Sequence, residues 1–128
     1  MATIIRDVIA RVDEIKPNDF TEAQKVRWLA LLDGKIAGDV MLMHTTEMQQ
    51  FNYQHPDDMD RELLVSFPHD DIYDLWLAAQ IDLANGETDK YQNSMEAYNA
   101  SFVNFVCWFA STYEPAQGYG KEVPNGTT

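Results

Sequence analysis

The stretch that decides the fold is DIYDLWLAAQIDLANGETDK, residues 71–90. Ile72, Leu75, Trp76, Ala79 and Leu83 recur at three- and four-residue steps, which is one face of an α-helix. Tyr73, Leu77, Ile81 and Ala84 widen that face until the helix, from about 71 to 85, is expected to be nearly buried. Asn85-Gly86 supplies a left-handed stop, and Glu87 and Asp89 are acids suited to the positive start of a following helix. That helix is predicted to run to about Tyr113, with Tyr91, Met95, Tyr98, Phe102, Phe105 and Phe109 forming a seam that packs back on its predecessor. An αα-hairpin follows. The aromatic stripe, Trp108 included, reads as core packing more readily than as a cofactor or peptide groove.

Upstream, residues 3–15 place Ile4, Ile5, Val8, Ile9, Val12 and Ile15 on one helical face, ended before Pro17. Thr21 is placed to cap a second helix and Gln24 to close a capping box, ahead of the run KVRWLALLDGKIAGDVMLMH. Gly34 and Gly38 in that run either let another backbone approach or are simply tolerated. Residues 45–60 show no sustained period and read as a loop, and RELLVSFP (61–68) reads as a short extended apolar segment with no second strand in the chain to pair it. The fold class expected is all-α: a bundle of about four helices with a C-terminal αα-hairpin, a central extended arm over about 45–68 and a flexible C-terminal tail. Residues 1–113 form the single helical domain and 114–128 the tail, whose EPAQGYGKEVPNGTT has two prolines, three glycines and no apolar period.

Charge limits the function. The 128 residues carry 21 acids against 9 bases, and the imbalance is steeper in the second half, where residues 62–128 hold only Lys90 and Lys121. Such a surface lacks the basic stripe that grips phosphates, so sequence-specific nucleic-acid binding is not expected, and anionic membranes are disfavoured for the same reason. The start MATIIRDVIARVDE meets a charge by residue 6, and no run approaches the roughly 20 apolar residues of a membrane span, so a soluble chain made in the cytoplasm is expected. The single cysteine, Cys107, lies in the apolar run FVNFVCWF and reads as a buried, inert thiol.

The chemistry-bearing candidates are few. FPHDDIYDLW sets His69, Asp70 and Asp71 in a row, and HPDD at 55–58 echoes it, which raises a metal site. Helix capping accounts for the same residues: Asp70 as N-cap, with Asp71 and Asp74 near the positive end of the helix. A metal-dependent enzyme using His55, His69 and nearby Asp is the lesser alternative, with His69 and Asp71 as its acid/base pair. No GxSxG, HExxH, glycine-rich phosphate loop or calcium loop is present. No catalytic residue, cofactor or metal is therefore assigned. Apolar residues outside the helices, namely Phe51, Tyr53, Leu63, Leu64, Val65, Phe67 and Tyr119, either fold back as cover on the bundle or serve as assembly contacts.

The segments QKVRWLALLDGKI, ELLVSFPHDDIYDLWLAAQIDLANGE and KYQNSMEAYNASFVNFVCWFASTY resemble the head–tail connector (adaptor) family of tailed bacteriophages and prophages. The resemblance spans about residues 3–113 and is most distinctive from Glu62 to Asn99. It implies a non-enzymatic, mostly helical subunit that forms a homo-oligomeric ring between the portal protein and tail-side connector proteins. Arms would reach neighbouring copies, and DNA would pass through a ring that does not grip it. The implied location is the virion neck, after synthesis in the host bacterial cytoplasm. A small acidic binding module, such as a nucleic-acid mimic occupying a basic partner, is the other reading of the charge.

Overall fold

The computed structural model describes residues 2–113. Five α-helices follow in order: α1 (Ile5–Ile15), α2 (Glu22–Asp39), the single turn α3 (Thr45–Met48) continued by a 3-10 turn at Gln49–Phe51, α4 (Asp71–Ala84) and α5 (Thr88–Tyr113). The all-α expectation holds. The tail at 114–128, with Tyr119, lies outside the described residues. No helix among the described residues is long and apolar enough to cross a membrane.

The α4–α5 turn forms as its sequence dictates. Gly86 sits at φ 72, and the helix end closes with Gly86 N–H to the Leu83 carbonyl (3.0 Å) and Glu87 N–H to the Asp82 carbonyl (2.9 Å). That pair of bonds is a Schellman closure, and only glycine holds its left-handed residue without steric cost. The two helices then run antiparallel until Ser101 Oγ donates to Asp71 at the start of α4 (2.8 Å). Beyond Ser101, α5 continues for twelve residues, about 18 Å, with no α4 beside it.

Thr21 caps α2 by accepting from Gln24 N–H (3.1 Å). The helix stops at Asp39, short of the apolar run's end, because Leu42 turns left-handed (φ 57) and Met43 N–H reaches back to the Ala37 carbonyl (2.9 Å). Neither glycine of α2 admits a neighbouring backbone. Gly38 faces the Met48 side chain at 3.0 Å, whereas a Cβ on Gly34 would meet nothing within 4 Å. Gly34→Ala is therefore expected to raise unfolding stability by about 0.5–1 kcal/mol through helix propensity alone, read as a shifted urea midpoint at unchanged slope.

The core joins Ile5, Val8, Ile9 and Val12 of α1 to Val26, Leu29, Leu32 and Ile36 of α2 and to Ile72, Leu77 and Ile81 of α4. From α5, Tyr98 and Phe105 reach full burial, in step with the predicted seam, while Met95, Phe102 and Phe109 pack on the core's edge.

The segment 45–68 corrects the sequence reading. It is not a free arm but a strap laid on the bundle, with Phe51, Tyr53, Met59, Leu63 and Val65 all buried. Nor does it lack a partner. Leu63 N–H bonds the Thr3 carbonyl (2.8 Å), Ile5 N–H the Arg61 carbonyl (3.1 Å) and Arg6 N–H the Met59 carbonyl (2.8 Å), about an antiparallel bridge between Ile4 and Glu62. The extended residues leading into α1 supply the missing partner through this single bridge, a role masked in the sequence by their continuity with the helical period of α1.

Candidate functional site: a sealed acid and an exposed helix end

Two features stand out from ordinary packing: a buried carboxylate and an apolar helix end in solvent. The carboxylate is Asp33, on the inward face of α2 and fully buried. Its Oδ1 accepts from the Tyr73 hydroxyl (2.7 Å), and its Oδ2 accepts from the Tyr53 hydroxyl and from Leu64 N–H (3.0 Å). Tyr73 in turn accepts from Val65 N–H (2.8 Å). One acid thus ties α2, α4 and both halves of the strap together. Burial pushes the Asp33 carboxyl above its usual range, with the phenols and Leu64 N–H pulling the other way. Burial and the neighbouring Asp33 push both the Tyr53 and Tyr73 phenols well above theirs. Every oxygen of Asp33 is engaged and none is exposed, so this arrangement is a clasp that offers no surface to a substrate.

Sequence reasoning missed Asp33, although a signal was present. It lies four residues after Leu29 and three before Ile36, so a helical period puts it on the apolar face, where an acid needs partners. The same holds for Asp82, 1% exposed in α4, which accepts from Lys16 Nζ (2.8 Å) and Ser94 Oγ (2.8 Å) and so fixes α1 and α5 to α4.

The histidines do not converge. His55 Nε2 lies 3.3 Å from Glu22, in a turn that Asp58 closes by accepting from Gln54 N–H (2.7 Å). His69 packs its ring on Trp108 (4.7 Å between centroids) and Phe105 (6.1 Å). His44 precedes α3, its N–H bonding the Glu47 carboxylate (3.0 Å). Among the described residues no group of three His, Cys, Asp or Glu is placed to hold a metal ion. Asp70 occupies the N-cap position of α4 but makes no side-chain cap. Its carboxylate instead accepts from Thr3 Oγ1 (2.9 Å) and lies 3.7 Å from Arg11, which grips Asp74 through Nε (3.1 Å) and Nη2 (2.7 Å). Thr3, just ahead of α1, and the charged Arg11 on α1 outcompete the helix end.

Of the apolar residues named as assembly contacts, Phe51, Tyr53, Leu63 and Val65 are core and Leu64 is half-buried against it. They are cover for this chain's own bundle, which withdraws them as contacts. Phe67 alone of the described set stays out, 75% exposed. Ile15, Leu42 and Leu83 are also exposed, each in a different part of the chain, and a continuous uncharged surface lies on α5 beyond Ser101. Val103 is 58% and Trp108 44% exposed, and no charged residue occurs from Ala97 to Tyr113. Cys107 is exposed too, against the expectation of a buried thiol. It follows Phe105 by two residues, about 200° around the helix, and so points away from the seam.

Compared with known proteins, the chain matches no protein-family model, no curated protein and no solved structure.

Proposed function

We propose that this chain is a non-enzymatic structural subunit that assembles through the distal end of α5 and Phe67. The observation that carries the reading is the uncharged overhang of α5. In a chain with 21 acids, seventeen successive residues bear no charge, and Val103 and Trp108 stand in solvent where α4 no longer covers them. Apolar surface left partly in solvent, as on Val103 and on the side of Trp108 not covered by the His69 ring, marks an interaction site. The setting is the one the sequence resemblance implies: a head–tail connector subunit that meets its own copies in a ring and then the portal protein. A patch that docks on a different surface of the next copy makes the head-to-tail contact from which rings close. The surplus of acid suits a subunit beside DNA that it does not hold.

Mass photometry and negative-stain microscopy of concentrated protein, alone and with a cognate portal, test this reading. Ring-sized oligomers or portal-bound subunits are expected from the native chain, and monomers from the Val103→Glu/Trp108→Glu variant, since burying two unpaired carboxylates defeats the contact. A native chain that stays monomeric and ignores the portal contradicts the reading.

A further inference from the structure

A second surface is independent of α5 and does not rest on the assembly reading. Among the described residues, Arg6, Arg11, Lys16, Lys25 and Lys90 each hold a carboxylate, and Arg61 lies over the Tyr53 ring at 5.2 Å. Arg27 and Lys35 do neither. Both border one open groove of about 300 Å³ between α2 and the α3–3-10 segment, with Leu31, Gly34, Met48 and Phe51 in its wall. No acidic side chain lines it, in a chain where acids outnumber bases by more than two to one.

Three properties coincide there. The two unpaired cations stand eight residues apart on α2, about 12 Å along its axis, at either end of an apolar floor. Leu31 is 40% exposed on that floor. Gly34 leaves the floor open, since a Cβ there would touch nothing within 4 Å, so the internal packing of the fold does not require this mid-helix glycine. The other described bases are engaged within the fold, five on carboxylates and Arg61 on the Tyr53 ring. Here it holds two in reserve around a gap.

We infer that this groove docks an acidic amphipathic segment of a partner protein, with an apolar side chain seated over Gly34 between Leu31 and Phe51 and carboxylates reaching Arg27 and Lys35. Apolar anchors give such a segment its affinity, and paired end charges fix its register and speed its encounter. The distal end of α5 from another copy is the wrong occupant, because it carries no charge to meet the two cations.

Selection from a displayed library of random peptides of about twelve residues, long enough to span the two cations in helical form, tests the inference. The enriched peptides are expected to carry an apolar residue flanked by acids. Their affinity, measured by fluorescence anisotropy, is expected to fall about tenfold or more on Arg27→Glu/Lys35→Glu. The same loss is expected on Gly34→Leu, whose Cβ meets nothing within 4 Å and whose outer carbons fill the groove between Leu31, Met48 and Phe51. Circular dichroism melts confirm that each variant is folded, and Gly34→Leu carries the test if the charge reversal fails to fold. Enrichment of nothing above the level seen with the Gly34→Leu protein overturns the inference. So does enrichment of neutral or basic peptides, or equal binding by the variants. Self-association that the charge reversal abolishes, with no peptide enriched, also overturns it by naming a second copy as occupant.

Discussion

Replacing Asp33 by Ala is expected to destabilise the fold by about 3–5 kcal/mol, the range for breaking a buried, fully bonded charged network by removing one partner. The reason is a count of orphans. Without the carboxylate, the Tyr53 hydroxyl, the Tyr73 hydroxyl and Leu64 N–H lose their acceptor in a region closed to water, and each uncompensated donor costs about 1–3 kcal/mol. A domain's total stability is only about 5–15 kcal/mol, so the variant should stand near its threshold. Urea unfolding followed by circular dichroism measures the loss. Hydrogen exchange should show the strap at 53–65 opening first, because Asp33 is what fastens its two halves to α2. Asp33→Asn keeps one acceptor oxygen and should lose less than Asp33→Ala. A loss below about 1 kcal/mol for Asp33→Ala would mean that packing alone holds the strap.

Alkaline pH is expected to undo the same clasp. The Tyr53 and Tyr73 phenols are raised in the fold above their ordinary pKa of 10.0, so above that pH the folded chain retains protons that the unfolded chain has released. Stability from these groups is therefore fully present below pH 10 and is lost as pH climbs beyond it. Tyr98, pushed up to about 12 by burial, adds to the loss in the same direction. Each unit between folded and unfolded pKa is worth about 1.4 kcal/mol, so the combined slope is steep. Urea midpoints taken at intervals from about pH 9 to about pH 11.5 should fall sharply, and tyrosinate absorbance from these residues should appear only with unfolding. Tyr73→Phe should start less stable, since Asp33 Oδ1 and Val65 N–H lose a partner, but should show a shallower alkaline slope. Asp33, also raised, acts at lower pH in the same sense: its share is present below the ordinary carboxylate pKa of 3.8 and declines as pH rises through the raised value.

The helices were legible because their signals are local. Asn85-Gly86 ends α4, Thr21 caps the start of α2, and the apolar periods of α1 and α5 state which face turns inward. In α4 the buried face is shifted from the expected one: Tyr73, Leu77 and Ile81 are buried with Ile72 and Ala79, while Leu75 and Trp76 are half-buried and Leu83 is 54% exposed. The strap was not legible, since its partners are remote in sequence: Leu63 with Thr3, and Leu64 and Val65 with a clasp made by Asp33 and Tyr73. A segment without a period cannot announce that it lies on the bundle. Asp70 stands at the expected N-cap position but its side chain does not cap, for a related reason: capping is a local preference that Thr3, ahead of α1, and Arg11, on α1, override. The α5 end was half legible. Its apolar content is plain, but whether Trp108 and Cys107 are covered depends on where α4 begins beside it, which is a matter of register between two helices.

The central claim, that the end of α5 is the assembly surface, has a direct probe in Cys107, the single thiol of the chain, exposed one residue before Trp108. The rate at which a soluble maleimide modifies it can be followed as the protein is concentrated or mixed with portal. Protection that rises in step with assembly, and is absent in Val103→Glu/Trp108→Glu, is the predicted result. Assemblies in which Cys107 reacts as fast as in the monomer would contradict the account.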